Sequence, residues 1–204
     1  MNLSKKLKIT MSSPDLNDDD REAVAAVLRT PNLSMGERIQ DFEQKVAAYT
    51  GARHAVAVNA GTSGLHLCIH AAGVGEGDLV ITTPFSFVAS ANVILFERAV
   101  PVFVDVDPET GNIDPGLVRA AIEDLLQGGA AAQRWLPRLG APAGARLKAI
   151  LPVDVFGQPA DMDAICGAAR PHGLKVIEDS CEALGAEYRG VKLGTFAQAS
   201  SFAF

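Results

Sequence analysis

From residue 55 onward, short apolar runs alternate with helical patterns, and this alternation constrains the chain more than any other feature. A strand, a helix and then another strand in repeating order is the signature of a parallel sheet joined by crossover helices. Strands are predicted at residues 55–58, 79–82, 102–104, 149–153 and 174–178, and helices at residues 61–72, 87–97, 115–126 and 161–170. The fold class is therefore α/β. Upstream, Pro14 and the run Asp18, Asp19, Asp20 open an amphipathic helix over residues 14–30 with Val24, Val27 and Leu28 on one face, since acids in a first turn suit the helix dipole. A linker at residues 30–36 leads into a second helix with Ile39, Phe42, Val46 and Tyr49 inward and Gly51 as its stop. Residues 128–146, rich in Ala, Gly, Pro and Arg, read as a surface insertion, and residues 200–204 carry one more apolar strand pattern.

A chain of 204 residues that is 48% hydrophobic and 21% charged can bury a sizeable core, as one large α/β domain or a domain and a half. Its net charge of −6 and the lack of a basic run beyond Lys5 and Lys6 exclude a nucleic-acid groove or a polybasic membrane surface. No apolar run approaches the roughly 18 residues of a membrane span, and residues 1–10 show neither an apolar segment nor a cleavage signal. A cytoplasmic protein is expected. Cys68, Cys166 and Cys181 have no Cys-x-x-Cys spacing, so neither a disulfide frame nor a structural zinc site is indicated.

Two stretches concentrate the chemistry. The apolar run at 55–58 passes through Asn59, Ala60, Gly61, Thr62, Ser63 and Gly64 into a helical pattern of Leu65, Ile69 and Ala72. Such a turn offers backbone N–H groups and two hydroxyls at a helix N-terminus, which is a phosphate seat. It is not a P-loop, because no Gly-Lys-Ser/Thr follows, and Gly73, Gly75 and Gly77 do not complete a dinucleotide fingerprint. Alone, the turn would read first as a plain strand-to-helix connection. Downstream, Val176 and Ile177 end in Glu178 and Asp179, followed by Ser180, Cys181 and Glu182, at the carboxyl edge where open sheets bind ligands. A phosphate seat and a buried acid on one edge suggest a phosphorylated, nitrogen-bearing cofactor, and pyridoxal phosphate fits both. An acid beside its pyridine nitrogen favours the protonated, electron-accepting ring. Phe85 and Phe87 follow the second strand and either stack on such a ring or belong to the core. His66 and His70 share a helix face, but Cys68 points elsewhere, so packing rather than a metal site is expected there.

With these motifs and the run Asp154, Val155, Phe156, Gly157, Gln158, Pro159, Ala160, Asp161, Met162 in hand, the sequence resembles the DegT/DnrJ/EryC1/StrS family of pyridoxal-phosphate-dependent sugar aminotransferases. The resemblance runs from about residue 12 to residue 204, roughly the first half of a typical member, and is most specific at 176–186 with Gly194, Thr195 and Phe196. It implies a fold-type I large domain over residues 51–204, with a mixed, mostly parallel sheet covered by helices on both faces and the small C-terminal domain absent. Residues 1–50 would be a helical segment contributing to the substrate pocket, and the active site would be shared across a homodimer. Gly61, Thr62 and Ser63 would hold the phosphate, Phe87 would stack on the ring, Asp179 would pair with its nitrogen, and Glu182 would lie by the phenolic oxygen, where many members carry Gln or His. Ala203 falls where many members place a phosphate-binding Ser, and Leu33, Ser34, Met35 and Gly36 would line the sugar pocket. The Schiff-base lysine would follow Phe204, and Lys148, Lys175 and Lys192 do not occupy its motif position, so a chain truncated here is expected to be inactive alone.

The implied reaction moves an amino group from glutamate or glutamine onto a nucleotide-linked keto-sugar. Within the family the alternative is a keto-deoxysugar dehydratase, with His in place of the lysine. Outside it stand a non-catalytic truncated relic that dimerises or regulates, and an ordinary nucleotide-binding α/β domain, which would lack its glycine fingerprint.

Overall fold

The computed structural model describes residues 13–204, so the absence of a leader signal read at residues 1–10 lies outside the described residues. The chain divides into two compact units between Phe42 and Glu43. In the first, α1 (Asp18–Leu28) starts at Asn17, whose Oδ1 accepts from the amides of Asp19 and Asp20 at 2.8 and 3.1 Å. The Asp20 carboxylate accepts from the Asn17 amide at 2.9 Å, which closes a reciprocal capping box and explains the acid run as a helix start. The apolar face is not the expected one. Val24 and Leu28 are exposed, and the half-buried stripe is Ala25, Ala26 and Val27.

Helix α2 (Glu37–Thr50) buries only Thr50, so the expectation that Phe42 and Tyr49 point inward is corrected. Tyr49 instead carries the Lys192 ammonium 4.5 Å from its ring centroid, a use that keeps an amphipathic ring at the surface. Next come α3 (Gly61–Ala71), β1 (Leu79–Thr82), α4 (Ala89–Phe96), β2 (Val100–Phe103), α5 (Pro115–Gln127), α6 (Gly129–Gln133), β3 (Leu147–Leu151), α7 (Met162–Ala169) and β4 (Lys175–Asp179). A short antiparallel pair, β5 (Glu187–Tyr188) and β6 (Val191–Lys192), precedes β7 (Ala199–Ser201).

The main sheet has five parallel strands in the order β2-β1-β3-β4-β7. The chain moves outward from β1 to β2 and then returns to the other side of β1 as β3, which places the topological switch between β1 and β3. Residues 55–58 do not form the predicted strand. Strand structure belongs to a pair, and among the described residues no strand lies alongside; the Ala57 amide donates instead to Glu43 Oε1 at 2.8 Å.

Alternation along each strand divides the core by face. Leu79, Ile81, Val102, Ile150 and Val176 pack with Val118 and Ile122 of α5 and with Met162 and Ile165 of α7. Val80, Ala149, Leu151 and Ile177 point the other way, against Leu65 and Ile69 of α3 and Val93 and Ile94 of α4. The segment 128–146 is more than the expected surface insertion. Trp135 Nε1 donates to Asp124 Oδ2 at 2.7 Å, and Trp135, Leu136, Ala141 and Ala145 lie against the first of these cores. Covering apolar surface keeps them there despite the loop-like composition. Among the described residues, no helix is long and apolar enough to cross a membrane.

Candidate active site

Asp179 is the last residue of β4, at the carboxyl edge of the sheet, and its backbone is held on both sides. Its amide donates to the Pro152 carbonyl at 2.9 Å and its carbonyl accepts from the Asp154 amide at 3.0 Å; beyond it, the Ser180 amide donates to the Ser201 carbonyl at 3.0 Å. The side chain is 5% exposed. Ser90, in the first turn of α4, donates its hydroxyl to Asp179 Oδ2 at 2.7 Å, and the Cys181 amide donates to Oδ1 at 3.3 Å. Each carboxylate oxygen accepts more than one donor, so both retain capacity for a ligand.

The start of α3 meets the end of β4 and the edge strand β7. Ser201 Oγ donates to the Gly61 carbonyl at 3.2 Å. A Cβ at Gly61 would come within 2.8 Å of Cys181 Sγ and 3.1 Å of Ala203 Cβ, and one at Gly64 within 2.5 Å of Ser201 Oγ. With glycine at both positions the helix approaches this closely without displacing the Cys181 and Ser201 side chains. Its N-cap residue is Ala60, which makes no side-chain capping bond, so the first N–H groups of the helix have no side-chain acceptor of their own. The hydroxyls of Thr62 and Ser63 are half-buried and make no hydrogen bond to another described residue. An open helix N-terminus with two such hydroxyls attracts an anion.

Phe87 precedes Ser90 by one turn, and its carbonyl accepts from the Ser90 amide at 3.2 Å. It is 76% exposed and Phe85 is exposed as well, so neither belongs to the core. Phe85 meets Phe156 edge-on, with ring centroids 5.9 Å apart. Phe156 follows β3, on the other side of the topological switch, and has a left-handed backbone at φ +53°. Its amide donates to Glu182 Oε2 at 2.9 Å, so one oxygen of the exposed Glu182 already braces this turn. The structure thus sets Gly61 against Cys181, just beyond β4, ties the entry to α4 to Asp179 through Ser90, and ties Glu182 to the turn after β3.

Several residues of this region carry roles that sequence reasoning missed. Asp154 is 2% exposed; its Oδ2 accepts from the Ser180 hydroxyl at 2.7 Å and its Oδ1 from the Ala160 amide at 2.9 Å. Burial pushes its carboxyl up to about 6; the charges of Glu178 and Asp179 add to the rise and the two donors oppose it. Asn112 Nδ2 donates to the carbonyls of Gln158 and Pro159, both at 2.9 Å, while its Oδ1 accepts from the Val155 amide at 3.1 Å. Together they hold the turn that presents Phe156. The run of residues 154–162 was conspicuous in the sequence, but Asn112 lies 43 residues from its partner Val155 and no local pattern marks it. Burial pushes the Cys181 thiol up to about 12, with the Asp179 charge adding to the effect, so it is no nucleophile at neutral pH.

Leu33, Ser34, Met35 and Gly36 belong to the first compact unit, where Leu33, Ser34 and Met35 are exposed and Met35 has φ +53°. Lys175 opens β4 at its amino end, and Lys192 is 3.3 Å from Glu187. His66 Nε2 and His70 Nδ1 both reach Glu97 Oε1, at 2.8 and 3.2 Å. Among the described residues, no cluster of His, Cys, Asp and Glu could hold a metal ion.

Residues 14–204 match the model of the DegT/DnrJ/EryC1/StrS aminotransferase family. The chain is 40% identical over 178 residues to the pleiotropic regulatory protein of Geobacillus stearothermophilus, covering 87% of this chain and 42% of that protein. It is 39% identical over 198 residues to GDP-perosamine synthase of Caulobacter vibrioides, covering 97% of this chain and 48% of the synthase. Its fold superposes on the sugar aminotransferase Spr1654 of Streptococcus pneumoniae, described as putative and solved in its PLP form, with a TM-score of 0.80 at 26% identity over 96% of this chain and 48% of that one. The chain spans about half the length of the relatives it matches. It belongs to the DegT/DnrJ/EryC1/StrS family of pyridoxal-phosphate-dependent sugar aminotransferases.

Proposed function

We propose that this chain supplies the cofactor-binding half of an aminotransferase that moves an amino group from glutamate or glutamine onto a nucleotide-linked keto-sugar, working as a homodimer in the cytoplasm. The observation that carries this reading is the buried Asp179 carboxylate at the end of β4, with the open N-terminus of α3 packed two residues further on, against Cys181. That pair of features fits pyridoxal phosphate. The anionic end of the cofactor suits the α3 amides and the hydroxyls of Thr62 and Ser63, and the exposed Phe87 ring offers an aromatic face. When bound, the cofactor supplies an electron sink for the carbon that carries the transferred amine.

The residues of the chain bind and orient it. Gly61, Thr62 and Ser63 hold the phosphate, Phe87 covers the ring, and Asp179 keeps a proton on the ring nitrogen by placing a fixed negative charge beside it. Glu182 sits toward the phenolic oxygen while bracing the Phe156 amide at 2.9 Å. Leu33, Ser34, Met35 and Gly36 contact the sugar. The GDP-sugar named for the Caulobacter relative supports a nucleotide-linked substrate.

Replacing Asp179 with Ala in the complete protein is expected to lower transamination by at least about 1000-fold, the scale of a lost charge at a reacting centre, while the circular dichroism spectrum stays native. Turnover within tenfold of the parent would remove this role.

A further inference from the structure

The two hydroxyls at the start of α4 form a directed chain into Asp179. Ser90 Oγ lies 2.7 Å from Asp179 Oδ2, 3.4 Å from the Phe87 carbonyl and 2.7 Å from Ser86 Oγ. A hydroxyl has one proton to give. The short contact to a carboxylate takes it, since an ionised acceptor outbids a distant carbonyl. Ser90 then has only its lone pairs for Ser86, which makes Ser86 the donor in that pair. The order is Ser86 to Ser90 to Asp179, and each step polarises the next.

Ser90 is 1% exposed, and its position is fixed twice over, by its helix and by the amide bond to the Phe87 carbonyl. We infer that Ser90 is a positioning residue for Asp179: its hydroxyl holds the carboxylate so that the remaining acceptor sites face the cofactor ring nitrogen, and Ser86 strengthens it from behind. This rests on the pairing of Asp179 with that nitrogen set out above. Without the Ser90 proton, Asp179 keeps the long Cys181 amide contact at 3.3 Å and the weak donor of the Cys181 thiol as lateral restraints. The carboxylate then turns more freely and presents a less defined charge to the ring. Phe87, one turn away on the same entry to α4, links the ring-covering residue and the acid-positioning residue in one short segment.

The test is selectivity for the ring nitrogen in the complete protein, read by equilibrium dialysis with pyridoxamine 5'-phosphate, which has no aldehyde and so binds without a lysine link. Its partner probe is the analogue in which CH replaces the ring nitrogen. The parent should prefer the pyridine. Ser90→Ala should reduce that preference by about fivefold to tenfold, the range of one charge-assisted hydrogen bond, with affinity for the CH analogue unchanged. Ser90→Thr should restore the preference, and Ser86→Ala should reduce it by about twofold.

A Ser90→Ala protein that keeps the full preference overturns the inference. So does one that loses both probes equally and is not rescued by Ser90→Thr, since Ser90 would then serve packing alone. A parent with no preference takes down the Asp179 pairing itself and the inference with it, an outcome distinct from the other two.

Discussion

Glu178 and Asp179 are neighbours on one strand, both acidic and both buried, yet they point to opposite faces of the sheet and are held in different ways. Glu178 is fully buried on the α5 and α7 side and accepts three backbone amides: Gly194 at 2.8 Å, Phe196 at 2.9 Å and Ala197 at 2.8 Å. Burial pushes its carboxyl up, and those three amides oppose the rise. Asp179, on the α3 and α4 side, accepts one hydroxyl, one long amide contact and the weak Cys181 thiol donor, and it lies where the strand opens onto loops. The main chain claims the first acid for architecture. The second retains acceptor capacity at the sheet edge, as a site for a ligand requires.

Replacing Glu178 is the most severe way to break this comparison. Glu178→Ala leaves three buried amides without acceptors, in the segment that leads into β7, and should destabilise the protein by roughly 3–5 kcal/mol. Glu178→Gln should cost less, about 1–2 kcal/mol, because one carboxamide oxygen still accepts from the Phe196 and Ala197 amides. Urea titrations would show both as lower midpoints with the slope preserved. Variants that still fold should bind pyridoxamine 5'-phosphate as the parent does. A Glu178→Ala protein with a parental midpoint but weakened cofactor binding would reverse the roles assigned to the two acids.

What the sequence shows of this arrangement follows from how local each feature is. The strands at 79–82, 102–104, 149–153 and 174–178 are short apolar runs between turns, and β1, β2, β3 and β4 form within two residues of those positions. The run at 55–58 looks the same locally, but a ladder also needs a neighbour. The opposite orientation of Glu178 and Asp179 was readable from the two-residue period of a strand, although the motif presents them as a pair of acids at one edge. The Ser90 contact was not readable, since it spans 89 residues and depends on how α4 crosses β4. Its faint local trace is the four-residue spacing of Ser86 and Ser90, which puts two hydroxyls on one side of a turn.

Asp154 stands between the two cases and sharpens the comparison with a smaller effect. It accepts one backbone amide, from Ala160, and one hydroxyl, from Ser180, and its carboxyl is pushed up to about 6 from an ordinary value of 3.8. An acid whose folded value is raised contributes stability that is fully present below about 3.8 and is lost as the pH rises through about 6. Lowering the pH from 8 to 5 should therefore strengthen the fold through this group, by on the order of 1 kcal/mol. In Asp154→Asn the amide oxygen still accepts from Ala160 and the new N–H donates to Ser180 Oγ, without a charge to bury. Its stability relative to the parent should be greatest at pH 8 and should fall by a similar amount, on the order of 1 kcal/mol, by pH 5, as urea midpoints of the two proteins measured side by side would show. A difference that stays constant across that range would mean Asp154 keeps its charge throughout. The Ala160 amide and the Ser180 hydroxyl would then outweigh the burial that pushes the carboxyl up.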